Sequence, residues 1–208
     1  MNFSDARAFC PELITRPADL LADELFMHAL ARWSRQYAPW VGLEGRNGLL
    51  LDITGCAHLF GGEEKMLTQI QRRFTKAKLQ VQVGIADTIG AAWAISHYAA
   101  KDQIAPTGET LDAVKELPIV SLRLPEKDTI SLKRLGVNTI EQLLALPRKN
   151  INRRFDPNVL EQLDKTMGWQ SEQIVPVGDP PHFGVRMNLP DPIGLQSDVM
   201  AGLERLLG

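Results

Sequence analysis

The dipeptide Asn47-Gly48, set between two short apolar runs, constrains the fold of this chain more than any other feature. The flanking runs are residues 38–44 (APWVGLE) and 49–54 (LLLDIT). Asn-Gly is the strongest short-range hairpin signal, because both residues tolerate the positive φ that a tight two-residue turn requires. The sequence therefore predicts a β-hairpin with its tip at Asn47 and Gly48.

The segments around this hairpin predict a mixed α+β layer. Residues 18–36 place apolar side chains at helical spacing, which indicates an amphipathic helix packed against other elements. A second helix is predicted after Gly61-Gly62, a strand over 79–86 (LQVQVGIA), and a third helix over 88–100. This order of elements is typical of a sheet with helices on one face.

The pattern changes near residue 105. From residue 117 to 168 the sequence predicts a compact group of short helices with brief connections. Beyond Trp169 a segment rich in proline predicts an extended linker, and residues 197–208 (SDVMAGLERLLG) predict one more apolar-striped helix. The prolines of this linker are Pro176, Pro180, Pro181, Pro190 and Pro192. Both ends of the chain lead us to expect a fragment.

Composition excludes several classes of protein. Lys and Arg number 23 against 25 Asp and Glu, and a net charge of −2 argues against binding nucleic acid or an anionic membrane by bulk charge. Cys10 and Cys56 are too few for a disulfide framework or a cysteine-rich zinc site. The N-terminus lacks a secretory signal, and the apolar runs are far shorter than the ~20 residues of a membrane helix. We therefore expect a cytosolic protein whose contact with any polyanion is local.

The segment at 132–140 (LKRLGVNTI) predicts a helix, a glycine-containing turn and a second helix. In a helix-hairpin-helix the glycine permits the turn, and backbone N–H groups at the start of the second helix bind a DNA phosphate. Residues 132–154 carry six basic side chains and one acidic one, which gives a local charge of +5. The predicted phosphate-binding residues are Leu135, Gly136, Val137, Asn138 and Thr139, with the side chains of Lys133, Arg134, Arg153 and Arg154. An ordinary helical hairpin with a solvated basic face is the alternative, since packing alone also favours glycine at such a turn.

Four strings carry a resemblance to a known family. They are SDARAFCPEL at 4–13, GLLLDITGCAHLFGGEE at 48–64, VQVGIADTIGAAWAIS at 81–96, and the hairpin at 132–140. Together they resemble the Y-family of translesion DNA polymerases, and most closely its ImuB-type branch, which is regarded as catalytically inactive. The resemblance implies an α+β fold with four parts: the end of the fingers at 1–15, an incomplete palm at 16–105, a helix-hairpin-helix thumb at 106–168, and a linker that leads into the little finger at 169–208.

Two departures from the family pattern bear on catalysis. Active members carry a Ser-Ile-Asp-Glu sequence before the strand that aligns with 49–54, which places Asn47 and Gly48 at carboxylate positions; Asp52 aligns with an aspartate outside the catalytic set. Two-metal phosphoryl transfer requires clustered carboxylates to hold both Mg²⁺ ions. Trp93 falls where the family has a lysine that contacts the triphosphate, and an indole cannot neutralise that charge. We expect Trp93 to fill the core, and we expect no catalytic residue, bound metal ion or cofactor.

The resemblance implies a non-catalytic, polymerase-like scaffold for error-prone translesion synthesis after DNA damage. Its partners would be DNA, a sliding clamp, a RecA-like protein of the ImuA type and an error-prone C-family polymerase, with the clamp-binding segment in a C-terminal region outside this chain. We expect no membrane contact and a cytoplasmic, nucleoid-associated location. The alternatives are an active Y-family DNA polymerase whose carboxylates come from elsewhere, and a generic helix-hairpin-helix DNA-binding module without polymerase ancestry.

Overall fold

The computed structural model describes residues 2–101, 103–178 and 195–207. The strands are β1 (Trp40–Glu44), β2 (Gly48–Asp52), β3 (Gly84–Ile85) and β4 (Gln103–Ile104). The helices are α1 (Phe3–Phe9), α2 (Leu20–Ser34), α3 (Glu63–Lys76), α4 (Ile89–Tyr98), α5 (Thr110–Val114), α6 (Glu126–Arg134), α7 (Ile140–Leu144), α8 (Arg148–Arg154), α9 (Asn158–Met167) and α10 (Gln196–Leu207). Single 3₁₀ turns lie at Ala57–Phe60 and Ile119–Leu122. This order of elements confirms the predicted α+β class.

The predicted hairpin forms, but its turn lies earlier in the chain. β1 and β2 pair antiparallel with Glu44 opposite Gly48, so the turn consists of residues 45–47. Gly45 supplies the positive φ, at +59°, and Gly48 already belongs to β2. Gly48 is needed for another reason, because a Cβ there would lie 2.7 Å from the carbonyl oxygen of Glu44. The prediction of a tip at Asn47 and Gly48 was therefore wrong in register.

Only two residues of the predicted strand at 79–86 are a strand. β3 pairs parallel with β4, so the described residues hold two separate two-stranded sheets rather than the single predicted sheet. Within the described ranges no strand lies beside residues 79–82, and an extended segment becomes a strand only where its backbone groups find a partner. A cleft of about 1400 Å³ is lined by both β2 and this segment, and its walls include Leu49, Leu51 and Val81.

The apolar stripe predicted over residues 18–36 is packed along only part of α2. Near its C-terminal end the Trp33 ring lies edge-on to the rings of Tyr37 and Phe74, with centroids 5.6 and 5.7 Å apart. At the N-terminal end Leu21 and Leu25 are 66% and 60% exposed. A stripe at helical spacing shows that a helix is amphipathic, whereas the element that covers the stripe depends on the tertiary fold.

α4 packs directly against the short helices that follow it. Ala94 and Ile95 of α4 belong to the same hydrophobic core as Leu132, Ile140 and Leu163. The contact between α4 and α9 is close: a Cβ on Gly90 would lie 2.6 Å from Oγ1 of Thr166. The hydroxyl of Thr88 accepts a hydrogen bond from the Ala91 N–H, which caps α4, and donates one to the Thr166 carbonyl at 2.7 Å. The domain limits at residues 15, 105 and 168 stay predictions.

Residues 169–177, predicted as part of an extended linker, run back along the hairpin. The Val177 N–H donates to the Val41 carbonyl at 2.8 Å, and Pro176 forms a bridge with Gly42. A side chain on Gly42 would meet the Val175 carbonyl oxygen at 2.7 Å, so glycine permits this close approach. We call residues 169–177 the return segment. Pro180, Pro181, Pro190 and Pro192 lie outside the described residues.

An ion pair fastens the return segment to the helical part of the chain. The guanidinium of Arg123 donates two hydrogen bonds to the carboxylate of Glu172, at 2.8 and 2.7 Å. Arg123 ends the second 3₁₀ turn in a left-handed conformation with φ +56°. α10 belongs to a separate unit of the chain, residues 178–208, and one of its faces carries Val199, Met200 and Leu203 exposed to solvent. Among the described residues, no helix has the length and apolar character required to cross a membrane.

Candidate nucleic-acid interface

The glycine turn between α6 and α7 forms as the sequence predicts. α6 ends at Arg134, and Gly136 has a φ of +82° with open space where a Cβ would stand. Thr139 caps α7 together with Gln142 in a reciprocal capping box. The side chains of Val137 and Ile140 are buried and attach this turn to the core.

The backbone N–H groups of this turn already have partners inside the protein. The N–H groups of Leu135 and Gly136 donate to α6 carbonyl oxygens at 3.0 Å, as does that of Val137. The N–H groups of Asn138 and Thr139 both donate to Oε1 of Gln142, at 2.7 and 3.3 Å. Phosphate binding by this turn stays a prediction. For Asn138 and Thr139 it would require the Gln142 side chain to move away, and for residues 135–137 it would require their hydrogen bonds to α6 to break.

The basic side chains around the turn are, by contrast, free to contact a ligand. Lys133, Arg134, Arg153 and Arg154 are exposed, and none forms an ion pair within the described part of the chain. The last turn of α6 and the last turn of α8 come together here, because Arg134 and Arg154 line one small cavity beside Leu135. The structure therefore places basic groups from two segments of the sequence side by side. We call these four side chains the basic quartet.

Arg148, which contributes to the +5 charge of this stretch, is already paired. Its guanidinium donates two hydrogen bonds to the Asp164 carboxylate, at 2.8 and 2.6 Å. The hydrogen bonds to Asp164 raise the pKa of Arg148 above its ordinary value. Asp164 lies outside residues 132–154, so the local charge count from the sequence overstated the free positive charge by one.

The two residues at the aligned carboxylate positions lie at the end of the hairpin. Asn47 is exposed in the turn, and Gly48 begins β2. Asp52 ends β2 at the opposite end of the hairpin, where it faces Trp40, and its carboxylate accepts a hydrogen bond from the Thr54 N–H at 3.0 Å. Within the described ranges, no group of three His, Cys, Asp or Glu side chains is arranged to hold a metal ion.

Trp93 is only half-buried and lines the cleft, so the expectation that it fills the core was wrong. Its ring stacks on the ring of His97 with centroids 4.0 Å apart and an interplanar angle of 19°. The imidazole Nδ1 lies 2.9 Å from the Trp93 carbonyl oxygen one helical turn earlier. Ala91, Ala94 and Ile95 occupy the core-facing side of α4 instead, and Gly90, which has no side chain, allows the close approach of α9.

Comparison with known proteins decides the family. Residues 1–97 match the model of the impB/mucB/samB family. The impB/mucB/samB model describes a Y-family domain, so the chain carries a Y-family domain. The resemblance inferred from the motifs is thereby confirmed, and this Y-family domain includes the hairpin with Asn47 and Gly48.

Curated relatives include proteins with two different names. The Y-family chain is 39% identical over 171 residues to Protein ImuB of Caulobacter vibrioides, an alignment that covers 82% of this chain and 37% of that protein. It is 26% identical over 171 residues to DNA polymerase IV 2 of Mesorhizobium japonicum, covering 80% of this chain and 41% of that protein. The chain thus spans well under half the length of these relatives.

Solved structures share the fold. A DinB family error-prone DNA polymerase from Sulfolobus solfataricus matches with a TM-score of 0.68 at 20% identity, covering 84% of this chain and 54% of that one. A Dbh ternary complex matches with a TM-score of 0.66 at 19% identity and the same coverage. At these identities the likeness establishes the fold of the Y-family chain alone.

Proposed function

We propose that this Y-family chain is the DNA-holding part of a non-catalytic, polymerase-like scaffold for translesion synthesis after DNA damage. The observation that carries the proposal is the pair Asn47 and Gly48 at the positions where active members have carboxylates. A neutral amide and a residue without a side chain supply no negative charge to hold two Mg²⁺ ions. Trp93 in place of a lysine removes a contact to the triphosphate as well.

DNA would be held by side chains of the basic quartet rather than by a general positive charge. All four are exposed beside the turn between α6 and α7, while the whole chain is slightly acidic. Lys and Arg contacts to phosphates position a protein on DNA without reading its sequence. The backbone N–H groups of Asn138 and Thr139 would add to this contact only after Gln142 is displaced, whereas those of residues 135–137 donate to carbonyl oxygens of α6.

The test is the salt dependence of DNA binding. Replacement of the basic quartet by alanine should weaken binding of a short duplex and reduce the slope of log K against log salt by up to about 3.6, at ~0.9 per lost phosphate contact. A matched control removes four exposed basic residues elsewhere, by the substitutions Lys65→Ala, Arg72→Ala, Lys76→Ala and Lys101→Ala. It makes the same change in net charge and should leave the slope close to that of the wild type. An unchanged slope in the quartet variant would show that DNA is not held here.

The scaffold role extends the proposal to partners of the whole protein. By its likeness to ImuB, we propose that the natural protein bridges a sliding clamp, an ImuA-type RecA-like protein and an error-prone C-family polymerase, and that it acts in the cytoplasm at the nucleoid. Co-purification of the natural protein with each purified partner tests this part separately. Absence of binding to all three would leave a DNA-binding protein without a scaffold role.

An active DNA polymerase is the second candidate function. It is favoured by relatives named DNA polymerase IV, one of which is 26% identical to this chain. This candidate requires carboxylates from positions other than 47 and 48. Primer extension separates the two candidates.

A further inference from the structure

Trp169 is a large aromatic residue at the surface, just beyond the end of α9. It follows Gly168, whose left-handed backbone (φ +77°) ends α9, and its N–H donates to the Asp164 carbonyl at 2.9 Å. In this type of helix end the side chain at the position of Trp169 commonly packs back on the last turn of the helix. Here the side chain is instead 62% exposed. The backbone is thus fixed while the indole is left open to solvent.

A second residue holds one face of the indole. The guanidinium carbon of Arg148 lies 5.8 Å from the centre of the Trp169 ring, within the range of a cation–π contact. Arg148 is itself held by its two hydrogen bonds to the Asp164 carboxylate. Asp164 therefore fixes both partners, one through its side chain and the other through its backbone. A prearranged, exposed aromatic surface is what stacking on a planar ligand requires, since little ordering remains to be done on binding.

The surroundings of the indole favour nucleic acid over a protein partner. Arg148 begins α8, whose seven residues (RKNINRR) include no acidic side chain. Arg148 is paired with Asp164, and the other three basic side chains of the helix, Lys149, Arg153 and Arg154, form no ion pair within the described residues. The helix spans about 10 Å at 1.5 Å per residue, and its far end carries Arg153 and Arg154 of the basic quartet. Bases in a duplex stack on one another, whereas an unpaired base presents a free face.

We propose that Trp169 is a stacking site for an unpaired base of single-stranded DNA, whose phosphates follow the basic side chains of α8 toward the turn between α6 and α7. The inference rests on the proposed function, because it names the form of DNA that the same surface holds. In this proposal the basic quartet contacts the phosphates of single-stranded and duplex DNA alike, whereas Trp169 contacts a base of single-stranded DNA only.

The experiment compares two fluorescein-labelled probes, a 12-nucleotide oligothymidylate and a 12-base-pair duplex, by anisotropy with the 208-residue chain. Trp169→Ala should weaken binding of the single strand about fivefold or more, the loss expected for one base–aromatic stack. Binding of the duplex should change less than about twofold. Trp169→Phe should bind the single strand with most of the wild-type affinity. Arg148→Lys, which keeps the charge without the planar group, should bind it with an affinity between those of the wild type and Trp169→Ala.

Trp40→Ala is the matched control, because Trp40 is a second exposed tryptophan (55%) that lies on β1 and not beside α8. It should bind both probes as the wild type does. Unchanged binding of the single strand by Trp169→Ala would refute the proposal and leave this face to a protein partner. An equal loss on both probes, or a loss that Trp169→Phe does not restore, would refute stacking as well.

The two proposals fail separately. If the basic quartet variant keeps the salt slope of the wild type while Trp169→Ala still weakens binding of the single strand, the proposed contact of the quartet with DNA and the phosphate path along α8 are wrong, and base stacking on Trp169 stands. If the quartet variant reduces the salt slope on both probes and Trp169→Ala changes neither affinity, the stacking site is wrong and the contact of the quartet with DNA stands.

Discussion

The ion pair between Arg123 and Glu172 should couple the return segment to the helical part of the chain. Both side chains are mostly buried, with 14% and 22% exposed, and they share two short hydrogen bonds. A hydrogen bond to a charged group contributes about 1.5–3 kcal/mol in general, and partial exposure to water reduces this. We therefore expect a coupling energy of about 1–2 kcal/mol for the pair.

A double-mutant cycle in urea measures this coupling. The variants are Arg123→Met, Glu172→Gln and both together, each compared with the wild type by its free energy of unfolding. Glu172→Gln alone should lower the free energy of unfolding by more than the coupling energy. It removes the charged partner of a guanidinium whose Nε is already buried without a hydrogen-bond partner. The exposed pair of Lys127 and Asp156, 3.9 Å apart, is the control and should couple by less than about 0.5 kcal/mol. A coupling energy for Arg123 and Glu172 no larger than that of the control pair would show that the buried ion pair does not fasten the return segment.

Three further changes test the packing and caps. Burial raises the pKa of Tyr37 above its ordinary value of 10.0, against a smaller opposing effect of Arg73. As pH rises through about 10, the phenol proton of Tyr37 is therefore lost from the unfolded chain before it is lost from the folded one, so the folded state loses stability. Tyr37→Phe should make the fall in urea midpoint between about pH 9 and 11 smaller than in the wild type. A fall of the same size in both proteins would refute this. Gly90→Ala, whose Cβ would meet Thr166 backbone at 2.8 Å, should lower the free energy of unfolding by about 1–2 kcal/mol, and an unchanged midpoint would contradict this close contact. Gln142→Ala removes the partner of two turn N–H groups and should cost about 1–2 kcal/mol in the same assay, whereas a neutral effect would show that water replaces it.

Local signals in the sequence predicted the helices well. The third helix was predicted over 88–100 and α4 occupies Ile89–Tyr98, and the glycine turn at Gly136 separates α6 from α7 as predicted. The capping box was also legible as Thr139 followed three residues later by Gln142, and it would have shown that the turn N–H groups have internal partners. The presence of these elements follows from contacts between residues close in sequence.

Features that depend on distant partners were not predictable in the same way. Residues 79–82 alternate like a strand, yet pairing depends on which segment lies alongside. The return segment is held by contacts between Val177 and Val41 and between Glu172 and Arg123, which are far apart in sequence. Its one local signal was Gly42 within an apolar strand, since a glycine there often marks a close approach of another backbone.

Primer extension tests whether the protein that carries this Y-family domain holds DNA without catalysing synthesis. The assay uses the natural protein, with Mg²⁺ or Mn²⁺ and a damaged template, beside an active DNA polymerase IV as positive control. We expect no incorporation by the natural protein while it still binds the primer–template. Incorporation above background would show instead an active polymerase, because carboxylates would then reach the metal ions from positions other than 47 and 48.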